Sequence, residues 1–441
     1  MEDVAVDAAA GGGAAASGGG GGGGAAVGGG VPDLVIKVSD PIKNAEGLNS
    51  YISYKVNTET TLEEYDYNQF SVIRRYSDFV WLRETLLKSL PGAIIPPLPE
   101  KAMMNRFAPE FVEGRRRALE RFLNRCAEHP LASKNETFKT FLLADDDKLK
   151  KTKEGLKEKT GGYFGSLSSA MTLSTKLEQV KSDQDITFDE IATYVQNLEA
   201  QMQNVAKHTA AIVKRGRELA QGLFEFGLAF TLLGQHETEA LVTALTQMGH
   251  TADQLSLIAA EQVEKEQLWF EEPIVDYIQM LGAVKEALAK RQESRKAYFG
   301  RVSDKEHKAA SLEKLKAAPE KPGKADKVTA AEGALAAAEE AEEVAKGHFE
   351  EVSARALEEM DRFKQTKADD MRKVVLDYVQ LQIQYNKRME QQWALLVPEI
   401  EAIDVDQGGA AVPPPAAAAS IMPPPVPAAD GGATDEDEVG V

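Results

Sequence analysis

The chain begins its patterned part with short runs of alternating apolar and polar residues. Leu34, Ile36 and Val38 alternate with polar neighbours, and residues 51–56 and 70–73 are rich in β-branched and aromatic side chains. Turn-forming residues separate these runs. The pattern therefore predicts a three-stranded antiparallel sheet in the first third of the chain.

Helical spacing follows the strands. A helix is expected from Ser77 or Asp78 to about Leu90, with Ser77 as its N-cap, and Pro91–Gly92 end it. Residues 95–99 contain three prolines and are expected to be extended. Two more helices are predicted at about 108–128 and 135–143. Together these elements predict an α+β domain over residues 31–145.

Residues 186–400 repeat apolar positions every three or four residues, as an all-α domain does. Three helices are predicted, at about 186–233, 236–317 and 326–397, each roughly 70–120 Å long at 1.5 Å per residue. Helices of that length cannot bury their apolar stripes alone, so a dimer with a second copy is expected. The apolar segment Leu223–Leu233 is interpreted as dimer core, and Pro273 is expected to kink the second helix and curve the rod.

Low-complexity segments flank the patterned regions. Residues 1–30 are Gly- and Ala-rich and residues 401–441 are Pro- and Ala-rich with acids, so both are predicted to be disordered tails. Residues 146–185 are interpreted as a linker with an amphipathic helix. Phe164, Leu167 and Met171 of that helix are candidates for membrane contact; docking on the next domain is an equal alternative.

Composition narrows the functional classes. The formal net charge of −19 argues against nucleic acid as a general partner. Cys126 is the only cysteine, which favours a reducing compartment. The N-terminal sequence does not resemble a signal peptide, and no apolar run reaches the roughly 20 residues that span a bilayer. Any membrane contact is therefore expected to be peripheral.

Three cationic clusters suit a pocket for a phosphorylated sugar. They are Arg74-Arg75-Tyr76, Lys101 after the proline run, and Arg115 in the Arg115–Arg117 triplet. Guanidinium gives bidentate bonds to phosphate, and a tyrosine face packs against a sugar ring. The alternative for Arg-Arg-Tyr alone is a strand end that carries surface salt bridges. The three clusters together favour ligand binding.

These motifs resemble the PX domain of sorting nexins. The matching segments are Val72–Phe79, Ile95–Lys101 and Phe111–Glu120, and the following helices resemble a BAR domain. The similarity covers roughly residues 33–400, and the nearest branch is the retromer-associated nexin one/two group, especially its plant-like members. The resemblance implies a PX domain followed by three long helices that form a curved antiparallel coiled-coil dimer.

The resemblance also implies the binding residues for phosphatidylinositol 3-phosphate. Arg75 would hold the 3-phosphate, Tyr76 and Ser77 would lie at the inositol ring, Lys101 would meet the 1-phosphate, and Arg115 would bond the 4- and 5-hydroxyls. Met103 and Met104 lie where the family's membrane-inserting loop is expected.

A basic stretch offers a second membrane contact. Residues 285–327 hold thirteen Lys or Arg against seven Asp or Glu. Within it the candidates are Lys305, Lys308, Lys314, Lys316, Lys321 and Lys324. The alternative is a solvated helix face with i,i+4 pairs.

The resemblance implies a peripheral membrane protein on the cytosolic face of endosomes. The expected partners are phosphatidylinositol 3-phosphate membranes, a second nexin chain as homodimer or heterodimer, and a retromer core complex. The expected roles are curvature sensing or induction, tubulation and cargo sorting. No cofactor, metal site or catalytic set is expected. The alternatives are a nexin of another route, such as autophagy or recycling, and a helical dimer scaffold without lipid specificity.

Overall fold

The computed structural model describes residues 33–44, 50–101, 107–160, 181–237, 239–319 and 322–402. The chain forms two compact units. The first lies within Met1–Glu84 and Leu98–Leu156, and the second within Thr85–Pro97 and Lys157–Val441. In the described residues, no helix is both long enough and apolar enough to cross a bilayer.

The first unit contains the predicted three-stranded antiparallel sheet, in the order β1-β2-β3. The strands are β1 (Leu34–Asn44), β2 (Tyr51–Thr60) and β3 (Gln69–Arg75). Tyr54 pairs with Arg74, and both are buried. Because successive residues of a strand face opposite sides of the sheet, Arg75 faces away from the side on which Arg74 lies.

The helices of this unit are α1 (Tyr76–Ser89) as far as Glu84, α2 (Pro109–Glu128), α3 (Glu136–Leu143) and α4 (Asp146–Thr160) as far as Leu156. The core includes Phe79, whose ring lies 6.5 Å from that of Phe122 and 5.0 Å from that of Phe141. The Ser77 cap was wrong, because α1 begins one residue earlier. Asp78 instead accepts a 2.8 Å bond from the Arg75 backbone N–H, which satisfies a donor at the helix start.

Arg74 is a buried structural residue, 1% exposed. Its guanidinium donates to the carbonyl oxygens of Phe141, at 2.8 and 2.9 Å, and of Ala144. It also pairs with Asp146 at 3.3 Å. Burial lowers the pKa of Arg74, and the charges of nearby aspartates, Asp146 among them, oppose that shift. These bonds fasten the end of β3 to the end of α3.

The segment predicted as the start of a linker is helical. Residues 146–160 form α4, and the first unit extends through Leu156. Leu149 is 3% exposed, so α4 buries an apolar side chain within this unit. The amphipathic helix predicted within residues 163–180 and the tail predicted at residues 1–30 lie outside the described residues. Of the tail predicted at residues 401–441, residues 403–441 also lie outside them.

The second unit consists mainly of three long helical stretches, which confirms the predicted helical half. They are α5 (Asp183–Gly234); α6 (Glu239–Glu266), continued through a π-helical turn (Gln267–Glu271) into α7 (Glu272–Ala317); and α8 (Lys324–Glu401). The π turn lies directly before Pro273, which has no N–H to donate to the preceding turn. The kink expected at Pro273 stays a prediction.

Charged side chains are buried beside the apolar core of the second unit. The Asp185 carboxylate contacts Arg291 at 2.5 Å and Arg295 at 2.9 Å, and all three are less than 10% exposed. The Arg291 guanidinium also lies 4.3 Å from the centroid of the Phe188 ring. Asp185 forms a capping box with Ser182, so the start of α5 is fixed to α7 by paired buried charges.

Residues 91–97 belong to this second core. Ile94 is buried in the cluster of Phe188 and Met360, and its N–H donates to the buried carboxylate of Glu359 at 2.9 Å. Gly92 has φ +87°, and a Cβ there would lie 2.8 Å from the carbonyl oxygen of Val352. Only glycine fits this turn against α8 without strain.

Candidate functional site

Tyr76 and Arg115, two of the residues implied in head-group binding, are in contact. The guanidinium carbon of Arg115 lies 4.3 Å from the Tyr76 ring centroid and 4.4 Å from that of Phe111. Arg115 donates to the Glu100 carbonyl at 3.0 Å, and the Tyr76 hydroxyl donates to the Pro99 carbonyl at 2.5 Å. The end of the proline run is therefore bonded to both side chains.

The environment of this pair is partly buried. Arg115 is 9% exposed, and Tyr76 is half-buried. Burial raises the pKa of Tyr76, while the positive charge of Arg115 opposes the shift. With its pKa raised, the Tyr76 hydroxyl stays protonated at neutral pH. A neutral ring beside a fixed positive charge suits an anionic, hydroxyl-rich ligand.

Arg75 lies at a neighbouring cavity of about 430 Å³. Its side chain is 57% exposed; Nε lies 3.6 Å from Asp78, and the guanidinium lies 5.8 Å from the Tyr51 ring centroid. The lining comes from all three strands, α1 and α4, and its residues are Asn44, Tyr51, Ser53, Ile73, Arg75, Asp78, Asp146, Asp147, Leu149, Lys150 and Lys153. Arg75 therefore faces a recess and has donors that remain available to a ligand.

The remaining implied residues of the first unit lie at the surface. Ser77 and Lys101 are exposed. Lys101 follows Glu100, whose carbonyl binds Arg115, so its backbone is anchored next to the Tyr76–Arg115 pair. Met103 and Met104 fall within residues 102–106, outside the described residues, as do Phe164, Leu167 and Met171.

Sequence reasoning missed the part of the cavity that α4 supplies. Lys153 forms an ion pair with Asp78, and its amine lies 5.2 Å from the Trp81 ring centroid. Lys150, one helical turn earlier, lines the same recess. The i,i+3 spacing of the two lysines indicates a shared helix face. The high lysine content of the segment favours a linker instead.

The basic stretch of the second unit is partly paired. Lys305 contacts Glu342 at 2.5 Å, Lys308 contacts Asp304 at 2.9 Å, and Lys316 contacts Glu332 at 2.9 Å. Lys324 donates to the Ala318 carbonyl at 2.6 Å. Lys314 is exposed, and Lys321 lies outside the described residues. The pairs of Lys308 and Lys316 are largely exposed and screened by solvent, so they do not fix these two amines in place.

A row of exposed apolar side chains runs along α5 at a spacing of seven residues. Its members, each at least 40% exposed, are Val205, Ile212, Leu219, Phe226 and Leu233. Residues seven apart lie on one face of a helix, so the row extends over roughly 40 Å. We call it the α5 row. An apolar face of this length is typical of a surface that another helix covers.

Comparison with known proteins agrees with this architecture. Residues 62–145 match the family described as PX domain, and residues 162–399 match the family described as Vps5 C terminal like. The chain is also similar over its length to the cryo-EM structure of the SNX-BAR Mvp1 tetramer, with a TM-score of 0.64 at 19% identity over 82% of this chain and 99% of that one. That likeness concerns the fold.

Sequence relatives agree. Sorting nexin 1 of Arabidopsis thaliana is 33% identical over 384 residues, 84% of this chain and 93% of that protein. Sorting nexin-1 of Homo sapiens is 28% identical over 387 residues, 84% of this chain and 72% of that protein. Human sorting nexin-2 is 28% identical over 384 residues. With its PX and Vps5-like halves, the chain belongs to the PX-BAR sorting nexins, peripheral membrane proteins of membrane trafficking.

Proposed function

We propose that the chain recognises phosphatidylinositol 3-phosphate through its first unit. Arg75 holds the 3-phosphate, Tyr76 packs on the inositol ring with Ser77 beside it, Lys101 meets the 1-phosphate, and Arg115 bonds the 4- and 5-hydroxyls. The observation that carries the proposal is the Arg115 guanidinium on the Tyr76 ring, 4.3 Å from its centroid, with the Glu100 carbonyl bonded to Arg115. A site already ordered in this way loses less entropy on binding.

The second unit supplies dimerisation and membrane shape in this proposal. The α5 row offers an apolar face that a second nexin chain, identical or related, would cover. The dimer carries two head-group sites and two sets of basic residues. Linked sites bind far more tightly than single ones, because later contacts are intramolecular. The dimer then senses or induces curvature.

Endosomes and a retromer core complex are the proposed setting. Phosphatidylinositol 3-phosphate on the cytosolic face of these membranes recruits the protein, and the resemblance to the retromer-associated nexin one/two group supports the proposed retromer link. In this setting the protein acts as an adaptor in cargo sorting and tubulation, not as an enzyme.

Replacing Arg75 with alanine is expected to weaken binding to vesicles that contain phosphatidylinositol 3-phosphate by about 10- to 100-fold, because a charge-assisted contact to phosphate is worth about 1.5–3 kcal/mol. Vesicle flotation measures the bound fraction. The Arg117→Ala variant is the matched control, since Arg117 pairs with Glu113 on α2 and the net charge changes equally. If the wild type binds vesicles with and without phosphatidylinositol 3-phosphate equally, the alternative of a helical dimer scaffold without lipid specificity is supported.

Reversing four basic residues of the second unit tests the curvature role. The variant with Lys305, Lys308, Lys314 and Lys316 all changed to Glu is expected to lose vesicle tubulation while it keeps its affinity for the soluble head group. Each basic group near an anionic surface contributes about 1 kcal/mol, and a dimer doubles the set. Electron microscopy of vesicles measures tubulation. Unchanged tubules would place the curved surface elsewhere on the second unit.

A further inference from the structure

We propose that α4 forms part of the head-group site and that Lys150 binds phosphate beside Arg75. This inference rests on the proposed function and adds a binding residue to it. The ligand group is a phosphate monoester on the inositol ring. The consequence is that the lipid-binding unit does not end at residue 145, where the match to the PX family ends.

The cavity that holds Arg75 is large enough for this ligand. Its volume of about 430 Å³ lies in the range of small-molecule sites, roughly 300–1,000 Å³. Strand residues Tyr51 and Ser53 line one side, and the α4 residues Lys150 and Lys153 line another. A phosphate that reaches Arg75 through this recess therefore also meets α4.

The charges that line the cavity leave two cations for a ligand. Asp78 is paired with Lys153, and Asp146 is paired with Arg74. Asp78 is also 3.6 Å from Arg75, beyond hydrogen-bond distance. The lysine on Asp78 thus weakens the hold of that carboxylate on Arg75. Arg75 and Lys150 remain, opposed only by Asp147 among the lining residues.

Lys150 has the position that a phosphate ligand needs. It lies three residues before Lys153 on α4, so the two side chains share a helix face toward the cavity. Lys150 is exposed, and among the described residues no carboxylate lies within 4.0 Å of its amine. Its ammonium is a point charge on a flexible stem, which can reach a phosphate in the cavity. A lysine whose only role is solubility can face solvent anywhere on the helix, whereas Lys150 lines the cavity.

Lys151 is a matched control on the same helix. It is exposed, carries the same charge and is absent from the cavity lining. Long-range attraction of an anion falls off over roughly 10 Å and is nearly equal for neighbouring residues. A difference between the two positions therefore reports direct contact and not net charge.

The test uses full-length protein and soluble inositol 1,3-bisphosphate, with affinity measured by isothermal titration calorimetry. Lys150→Ala is expected to weaken binding about tenfold, as loss of one charge-assisted bond does, and Lys150→Glu more. Lys151→Glu is expected to change affinity by less than about twofold. Vesicles with phosphatidylinositol 3-phosphate, compared with vesicles that carry only phosphatidylserine, distinguish the lipid head group from a general anionic surface.

The outcomes separate this inference from the proposed function. If Arg75→Ala loses the head group while Lys150→Ala and Lys150→Glu bind like the Lys151 variant, α4 has no part in the site and only this inference falls. If wild type does not bind the head group at all, both fall. The contact between Lys150 and phosphate is also excluded if Lys150→Glu and Lys151→Glu weaken vesicle binding equally and do so only on phosphatidylserine vesicles. Thermal unfolding of each variant verifies its fold.

Discussion

Replacing Arg74 with alanine is expected to destabilise the first unit by about 3–5 kcal/mol, whereas the same change at Arg75 leaves its stability nearly unaltered. The buried Arg74 guanidinium donates to the carbonyls of Phe141 and Ala144. Alanine would leave these acceptors without donors and open a cavity beneath β3. Arg75 is 57% exposed, and its contact with Asp78 is long. Its loss costs at most about 1 kcal/mol.

Hydrogen exchange of β3 and α3 measures this difference, because it reports local stability in a chain with two units, where one melting temperature is not well defined. Arg75→Ala is the control at the neighbouring position with the same change in charge. Comparable protection of β3 in both variants would show that the bonds of Arg74 contribute little. Loss of protection only in Arg74→Ala would assign the structural role to the first arginine and leave the second for ligand.

The division of roles between the two arginines was partly accessible from sequence. Strand alternation places Arg74 on the core face with Tyr54 as its partner, and Arg75 on the other face. The acceptors of Arg74 come from residues 141 and 144, about seventy positions away. Local pattern cannot supply such a contact, so the sequence showed only two cations where the structure has one buried anchor and one exposed donor.

The three strands and the long helices followed from periodicity, because both depend on which residues share a face. The predicted start of α1 is wrong, since serine is a common N-cap, whereas the helix begins at Tyr76 and Asp78 accepts the bond from the Arg75 N–H. The packing of helix α4 on the first unit does not follow from its sequence pattern. Its sequence is rich in lysine, and the contacts that hold it, the burial of Leu149 and the packing of Lys153 on Trp81, are tertiary.

The candidate site shows the same limit. The resemblance to PX domains supplied Tyr76 and Arg115, which the structure brings together, and supplied Arg75 and Lys101. The family pattern contains no counterpart for Lys150, because the matched region ends before it. A residue that approaches a site from a neighbouring helix can be recognised as a site residue only from the three-dimensional structure. Its role is then tested by substitution.

Introducing aspartate at two positions of the α5 row, Leu219 and Phe226, is expected to raise the dimer dissociation constant at least about 1,000-fold. These side chains are 56% and 40% exposed in the single chain. In a symmetric dimer each change occurs twice, and central apolar contacts contribute 2 kcal/mol or more each. An unpaired carboxylate between helices adds a desolvation cost. Sedimentation velocity over a concentration series measures the constant.

The control for this prediction is Val344→Asp on α8. Val344 is 69% exposed on a long helix and lies outside the α5 row; aspartate there adds one negative charge per chain, against two in the double variant. It is expected to leave the dimer intact, because an isolated exposed valine does not indicate an interface. A monomeric double variant with unchanged head-group affinity would also separate the two units functionally, since a monomer keeps the head-group site and loses the gain from linked sites. A dimer that survives both changes would exclude the α5 row as its interface.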